Sequence, residues 1–162
     1  MKRKYNTNLY KNKIKMIKKN IPDACIGVDV IVGFPNESND DFLDTVRFIN
    51  DLDINYLHVF SYSDRDDTVA SKMEKKISRS EKLNRSRQLQ VISNKKRLKF
   101  YQNNLSMIRP VLFESMLDDE HIIGFTDNYI RTIVKGKETM INKIFNIKLL
   151  ELMDGKVFGE IF

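Results

Sequence analysis

The sequence predicts an α/β fold in two parts, a parallel strand–helix–strand unit followed by a small antiparallel β-barrel. The apolar, β-branched runs at residues 26–32 and 56–60 enclose a segment with helical periodicity, which is the order of a βαβ unit. Past residue 105 the sequence changes to short strand-like runs separated by turn residues. That pattern is typical of a small barrel, so we predict domains at residues 1–104 and 105–162.

The first helix and the first strand follow from local patterns. A helix is predicted over residues 7–20 because its apolar residues recur at helical spacing and Thr7 or Asn8 can cap it. The run at residues 26–32 does not alternate between apolar and polar residues, which predicts a parallel strand buried on both faces. Asp29 interrupts this run, and a buried carboxylate requires a partner.

The turn after this strand leads into a second helix. Ser38 and Asp41 have the spacing of a capping box, and the helix is predicted to run to about Leu52, before the second strand. A long basic helix is predicted over residues 80–104. Four strands are predicted after it, at residues 108–116, 128–136, 143–152 and 156–162.

The composition is that of a globular protein, with 41% hydrophobic and 31% charged residues among 162. No apolar run reaches the roughly 20 residues of a membrane helix, and the basic N-terminus lacks the apolar core of a secretion signal. We therefore expect a cytoplasmic protein that does not bind membranes. Cys25 is the only cysteine, and alone it forms neither an internal disulfide nor an iron–sulfur site.

The basic residues are clustered, and the net charge is +6. Residues 1–20 hold eight Lys or Arg and no acid, and residues 72–99 hold eleven against two acids. Such clusters indicate a polyanionic partner. The alternative is a Lys-rich composition spread over solvated helix faces, and charge alone does not decide between the two.

The turn GFPNES after the first strand is a candidate ligand site, because ligands of parallel α/β proteins bind at the carboxyl ends of strands. Gly33 permits close approach of the backbone, Pro35 stiffens the turn, and Glu37 is placed to accept hydrogen bonds from a ligand. The alternative is that Gly33 and Pro35 only shape the turn and that Glu37 only complements the helix dipole.

These residues carry a resemblance to a known family. The run DVIVGFPNE at residues 29–37 is similar to the fifth-strand motif of radical S-adenosylmethionine (SAM) enzymes. Four other segments resemble the tRNA methylthiotransferases among them, and the last resembles their TRAM domain: MKRKY at 1–5, HVFSYSDRDDT at 58–68, RSRQL at 85–89 and GFTDNYI at 124–130.

The resemblance implies the C-terminal part of a partial (βα)6 TIM-like barrel followed by an OB-like TRAM barrel. HVF and GFTDNYI look most like the branch that adds a methylthio group to C2 of N6-threonylcarbamoyladenosine next to the tRNA anticodon. Such enzymes use SAM and [4Fe–4S] clusters. The resemblance implies SAM contacts and RNA contacts at two sets of residues: Arg3, Asp29, Ile31, Gly33, Glu37 and Tyr62 for SAM, and Arg109, Asn128, Tyr129, Arg131 and Lys135 for tRNA.

The chain also departs from the family pattern. The C-x-x-x-C-x-x-C triplet that holds one cluster is absent, so no catalytic residue or metal ligand is assigned. Two alternatives remain open: a non-catalytic RNA-binding remnant, or a fragment of a methylthiotransferase acting on isopentenyladenosine or a ribosomal protein. Tyr129 is alternatively a core residue of the barrel. A partial barrel has unpaired strand edges, so we expect self-association unless a separate chain supplies the N-terminal half.

Overall fold

The computed structural model describes residues 4–162. The chain divides into two compact units, and the division falls between Lys96 and Arg97. This position lies inside the long helix, whereas the sequence places the boundary near residue 105. Arg3 lies outside the described residues.

The first unit contains the predicted helices and parallel strands. Its elements are α1 (Thr7–Asn20), β1 (Gly27–Val32), α2 (Asn39–Asp51), β2 (Tyr56–Ser61) and most of α3 (Arg79–Asn103). A short 3-10 helix, Ala70–Lys72, lies in the loop between β2 and α3. No helix within residues 4–162 combines the length and apolar character needed to cross a bilayer.

Side-chain caps fix where α1 and α2 begin. The predicted capping box of α2 is confirmed, because Ser38 Oγ accepts from the Asp41 amide at 3.1 Å and Asp41 Oδ2 accepts from the Ser38 amide at 2.9 Å. These bonds from Ser38 hold the pKa of Asp41 below its ordinary value. The predicted range of α1 is confirmed, but its predicted cap is wrong. Asn6, in extended conformation, accepts from the Leu9 amide and is the cap, since Thr7 already belongs to the helix.

β1 and β2 pair in parallel, as the sequence predicts. The prediction that β1 is buried on both faces is wrong. Val28 and Val32 are buried against the helices, whereas Asp29 is exposed and Ile31 is 37% exposed. The helices of the described unit pack against one face only, so Asp29 remains in contact with solvent and its carboxylate is not desolvated.

The core of the first unit lies between the buried face of the β1–β2 sheet and the helices. α2 contributes Phe42 and Ile49, and α3 contributes Leu89, which is fully buried. The remaining buried members of this core are Ile14, Val28, Val32, Leu52, Ile54 and Leu57. The core therefore fixes α2 and α3 against the sheet whose carboxyl edge carries the candidate ligand turn.

The second unit is a closed five-stranded barrel with strand order β3-β4-β5-β7-β6. Its strands are β3 (Ile108–Met116), β4 (His121–Thr126), β5 (Arg131–Lys135), β6 (Ile144–Met153) and β7 (Lys156–Ile161). The sequence predicts four of these strands and misses β4.

The barrel is mixed rather than antiparallel, which corrects the predicted fold class. β5 and β7 pair in parallel, with Thr132 opposite Val157, and the other neighbours are antiparallel. The barrel closes in this way because a tight turn at Asp154 and Gly155, both with positive φ, returns β7 along β6 and places it beside β5. Closure leaves no open edge in the barrel.

Candidate functional site

A cavity of about 820 Å³ lies at the carboxyl ends of β1 and β2, where the sequence predicts the ligand site. Its walls are mainly apolar and aromatic, and include Ile31, Phe34 and Phe60. Tyr62 and Arg65 add a hydroxyl and a cation. An apolar cavity with a few polar groups suits a small ligand that carries a flat ring.

Of the predicted SAM contacts within residues 4–162, only Ile31 and Tyr62 line this cavity. Asp29 lines a second cavity, also of about 820 Å³, together with Tyr10 and Phe48. The two cavities use different parts of β1. The structure therefore does not bring Asp29 together with Ile31 and Tyr62 in one cavity.

Gly33 begins the turn after β1 in a conformation that favours glycine, with φ +75°. Its amide donates to Glu37 Oε2 at 3.0 Å. A Cβ at this position would lie 2.4 Å from Cγ of Lys82. Gly33 thus lies where the turn meets α3. Its missing Cβ permits the Lys82 side chain to approach the backbone closely.

Glu37 has both carboxylate oxygens engaged within the fold. Oε2 accepts from Gly33, and Oε1 accepts from Nη1 of Arg85. The Glu37 side chain is 15% exposed and that of Arg85 is 5% exposed. Glu37 therefore joins the turn to α3.

The sequence alone does not reveal the role of Arg85. Its Nε donates to Glu81 Oε1 at 3.0 Å, one helical turn earlier, and its guanidinium lies 5.3 Å from the ring centre of Phe42. Burial lowers the pKa of Arg85, but the hydrogen bonds that Arg85 donates to Glu37 and Glu81 offset this effect and raise the pKa above its ordinary value. The spacing of residues in α3 gives one indication that Arg85 is buried, because Arg85 lies four residues before the buried Leu89 on the same helix face.

Tyr62 follows β2 and contacts both the cavity and α3. Its ring lies edge-on to Phe34, with 5.2 Å between ring centroids. Lys82 Nζ donates to the Tyr62 carbonyl at 2.9 Å and lies 5.4 Å from the centre of the same ring. The Tyr62 ring, which forms part of the cavity wall, therefore makes a cation–π contact with the Lys82 ammonium group.

The described residues do not form a cluster site. No group of three or more His, Cys, Asp or Glu between residues 4 and 162 is arranged to hold a metal ion. Burial raises the pKa of the Cys25 thiol to about 11, against a smaller opposing effect of Lys18. A protonated thiol is a poor metal ligand. The apolar and aromatic cavity suits a flat ring, whereas the described residues hold no set of side chains arranged as cluster ligands.

In the barrel, Tyr129 and Arg131 are presented at the surface. Tyr129 is 70% exposed, so the alternative that it is a core residue is wrong. Its ring lies 6.5 Å from that of Phe125, and Phe125 is paired with Arg131 across β4 and β5. Lys135 is also exposed, 3.9 Å from Glu120. We call Phe125, Tyr129 and Arg131 the aromatic–basic surface.

Asn128 and Arg109 both make contacts within the second unit. Asn128 is 6% exposed, and its Nδ2 donates to Asn104 Oδ1 at 3.0 Å while its Oδ1 accepts from Thr126 at 2.7 Å. The Arg109 side chain is 11% exposed and lies 3.5 Å from Asp127. Asn128 ties the β4–β5 turn to the end of α3 within the second unit.

Curated proteins of one family are similar to this chain. Threonylcarbamoyladenosine tRNA methylthiotransferase MtaB of Bacillus subtilis is 34% identical over 93% of the chain and 34% of its own length. Its counterpart in Aquifex aeolicus is 38% identical over 80% of the chain and 30% of its own length. A tRNA-2-methylthio-N(6)-dimethylallyladenosine synthase of Endomicrobium trichonymphae is 32% identical over 99% of the chain and 38% of its own length. No family model matches the chain.

The fold, with a ligand cavity at the carboxyl ends of parallel strands, is that of an α/β protein joined to a small barrel. The similarity to these relatives extends over nearly the whole chain. The chain belongs to the tRNA methylthiotransferase family. It spans about a third of the length of the curated relatives it matches.

Proposed function

We propose that this chain forms the C-terminal portion of a tRNA methylthiotransferase that acts on C2 of N6-threonylcarbamoyladenosine beside the anticodon. The observation that carries the proposal is the cavity at the carboxyl ends of β1 and β2 in a chain similar to enzymes of this name. In a complete TIM-like barrel, this edge faces the active site. The protein would act in the cytoplasm, where tRNA is modified.

In this proposal, the cavity holds the adenine of SAM. Ile31 and Phe60 provide an apolar surface, and Phe34 and Tyr62 provide edges for ring contacts. Arg3 would add a polar contact, whereas Asp29 lines the other cavity. SAM supplies the radical that the family's chemistry requires, and the cluster ligands would belong to residues outside this chain.

The aromatic–basic surface is proposed as a tRNA contact. The Tyr129 ring offers a face on which an unpaired base can stack, and Arg131 is exposed beside Phe125 for a phosphate. Lys135 adds a second exposed cation on the same strand. The net charge of +6 favours a polyanionic partner.

A second chain that carries the N-terminal half is proposed as a partner. Among the described residues, β1 pairs only with β2, and the uncovered sheet face carries Ile31 and Phe60, which is 51% exposed. An open strand edge beside an apolar face favours pairing with another strand.

The decisive experiment measures SAM binding to the chain by hydrogen exchange. We expect SAM to slow exchange in residues 31–34 and 60–63, and substitution Ile31→Arg to abolish this protection because it places a charge in the apolar wall. Lys19→Glu, an exposed change on α1, is the control. Equal exchange with and without SAM would refute the assignment of the cavity.

The proposed activity is tested separately in cells that lack their own threonylcarbamoyladenosine methylthiotransferase. The chain is expressed with the N-terminal two-thirds of the Bacillus subtilis relative, and tRNA nucleosides are analysed by mass spectrometry. We expect the methylthio nucleoside only when both parts are present. Its absence in cells where both parts accumulate and bind each other would contradict the proposed activity.

A further inference from the structure

The first two turns of α3 contact both polypeptide segments that form the cavity. Lys82 and Arg85 are one turn apart on this helix, and neither lines the cavity itself. We infer that Lys82 and Arg85 are positioning residues that hold the β1–α2 turn and the carboxyl end of β2 in the arrangement that forms the cavity. The inference rests on the proposed function of the cavity in binding SAM.

Arg85 holds the β1–α2 turn. Its Nη1 donates to the Glu37 side chain and also to the Glu37 carbonyl at 3.3 Å. Glu37 in turn accepts from the Gly33 amide. The helix is thereby linked through one carboxylate to the first residue after β1, two residues past Ile31. Because the paired groups are nearly excluded from water, solvent does not readily replace these bonds.

Lys82 holds the other side of the cavity. Its aliphatic stem packs against Gly33, where a Cβ would meet three of its carbons within 3.1 Å. Its Nζ donates to the Tyr62 carbonyl. One side chain thus contacts the ends of both strands, beside the backbone bond in which the Tyr62 amide donates to the Val32 carbonyl at 2.8 Å. Gly33 directly precedes Phe34, and the rings of Phe34 and Tyr62 both line the cavity.

The arrangement explains why the turn needs a charged pair and not an apolar contact. Gly33 has a positive φ, and so does Asn36, so the turn is held in conformations that most residues avoid. Directional bonds to Glu37 select this one backbone path, whereas apolar packing against α3 would tolerate several. A buried ion pair adds little to stability by itself, and its role in selecting the path of the turn is part of the proposal.

A purely structural role predicts a different result from a positioning role, and Leu89→Ala separates them. Leu89 is fully buried one turn after Arg85 and belongs to the core, so its truncation destabilises the unit while Arg85 and Lys82 keep their hydrogen bonds to the two segments of the cavity wall. Arg85→Leu instead removes the link to Glu37. Arg87→Leu, an exposed change on the same helix, controls for loss of charge.

The experiment compares SAM affinity by equilibrium dialysis with amide exchange in the absence of SAM. We expect Arg85→Leu and Lys82→Met to weaken SAM binding roughly tenfold, a change of about 1.4 kcal/mol, and to speed exchange of the Gly33 amide. Arg85→Lys should restore part of both, since it keeps a cation near Glu37. Leu89→Ala should lower the unfolding midpoint and leave affinity within about twofold, well under that change.

The outcomes separate the two proposals. If Leu89→Ala and the two clamp variants, Arg85→Leu and Lys82→Met, weaken SAM binding in proportion to their loss of stability, the positioning role is overturned. If Gly33 exchange is unchanged in Arg85→Leu and in Lys82→Met, it is overturned as well. If the unaltered chain does not bind SAM but the clamp variants still release the Gly33 amide, the positioning role stands and the proposed cofactor fails. Lys82→Met keeps the aliphatic stem, so it remains informative where Arg85→Leu does not fold.

Discussion

Substitution Asn128→Ala tests whether this residue serves the barrel or the RNA. The change removes the bonds of Asn128 to Thr126 and Asn104, and leaves a buried hydroxyl and a buried amide oxygen without those partners. Each buried group deprived of a hydrogen bond costs about 1–3 kcal/mol. Allowing for partial relaxation, we expect a loss of about 2–4 kcal/mol in the unfolding free energy of the barrel.

Amide exchange in β4 and β5 measures this loss for the barrel itself, because protected amides there report its local unfolding. A loss of about 2–4 kcal/mol corresponds to exchange roughly 30-fold to several hundred-fold faster. At temperatures where the barrel of Asn128→Ala remains folded, the affinity of this variant for tRNA should be unchanged. Tyr129→Gly is the matched control on the adjacent residue: it relieves the positive φ of Tyr129, so the barrel should keep or gain stability while tRNA binding weakens. Weaker tRNA binding with unaltered exchange in Asn128→Ala would refute the structural role.

Three further predictions concern separate sites. Gly33→Ala should destabilise the first unit by about 1–2 kcal/mol, because alanine resists the left-handed conformation and its Cβ displaces Lys82; urea unfolding measures this, and an unchanged midpoint would contradict it. The Cys25 thiol, with its pKa raised to about 11, should react slowly with iodoacetamide at pH 8 and faster as pH approaches 11. The thiol of the unfolded chain ionises at lower pH than the folded one. The contribution of the buried thiol to stability is therefore present below pH 9 and is lost as pH rises through 11. Rapid alkylation at pH 8 would count against burial of Cys25. Arg131→Glu should weaken tRNA binding and lower its salt dependence, whereas Lys19→Glu, the same charge change on α1, should not; equal effects would indicate that only net charge matters.

Local patterns in the sequence predict the elements whose causes are local. Ser38 and Asp41 are three residues apart, so the start of α2 is visible in the sequence and the structure confirms it. β4 is missed because a glycine, Gly124, stands in its middle and turn residues flank it. That glycine is required, since a Cβ there would lie 2.0 Å from the Leu112 carbonyl on the neighbouring strand.

The errors at the candidate site have non-local causes. A β-branched run looks the same whether one face or both are covered, so the exposure of Asp29 depends on which helices pack against β1. Glu37 is engaged by Arg85, which is 48 positions away, and no spacing within the turn reveals it. The parallel pairing of β5 with β7 likewise depends on how the whole barrel closes.

Tyr129 places stability and recognition in opposition at one position. Its φ of +64° is a conformation that glycine and asparagine adopt readily and that a tyrosine adopts at a cost of about 1 kcal/mol. Two selections from a library of all residues at position 129 should therefore give different results. A screen for resistance to heat should enrich small, flexible residues, and a screen for tRNA binding should enrich aromatic residues. The residue that the chain carries is the one that the second screen would favour.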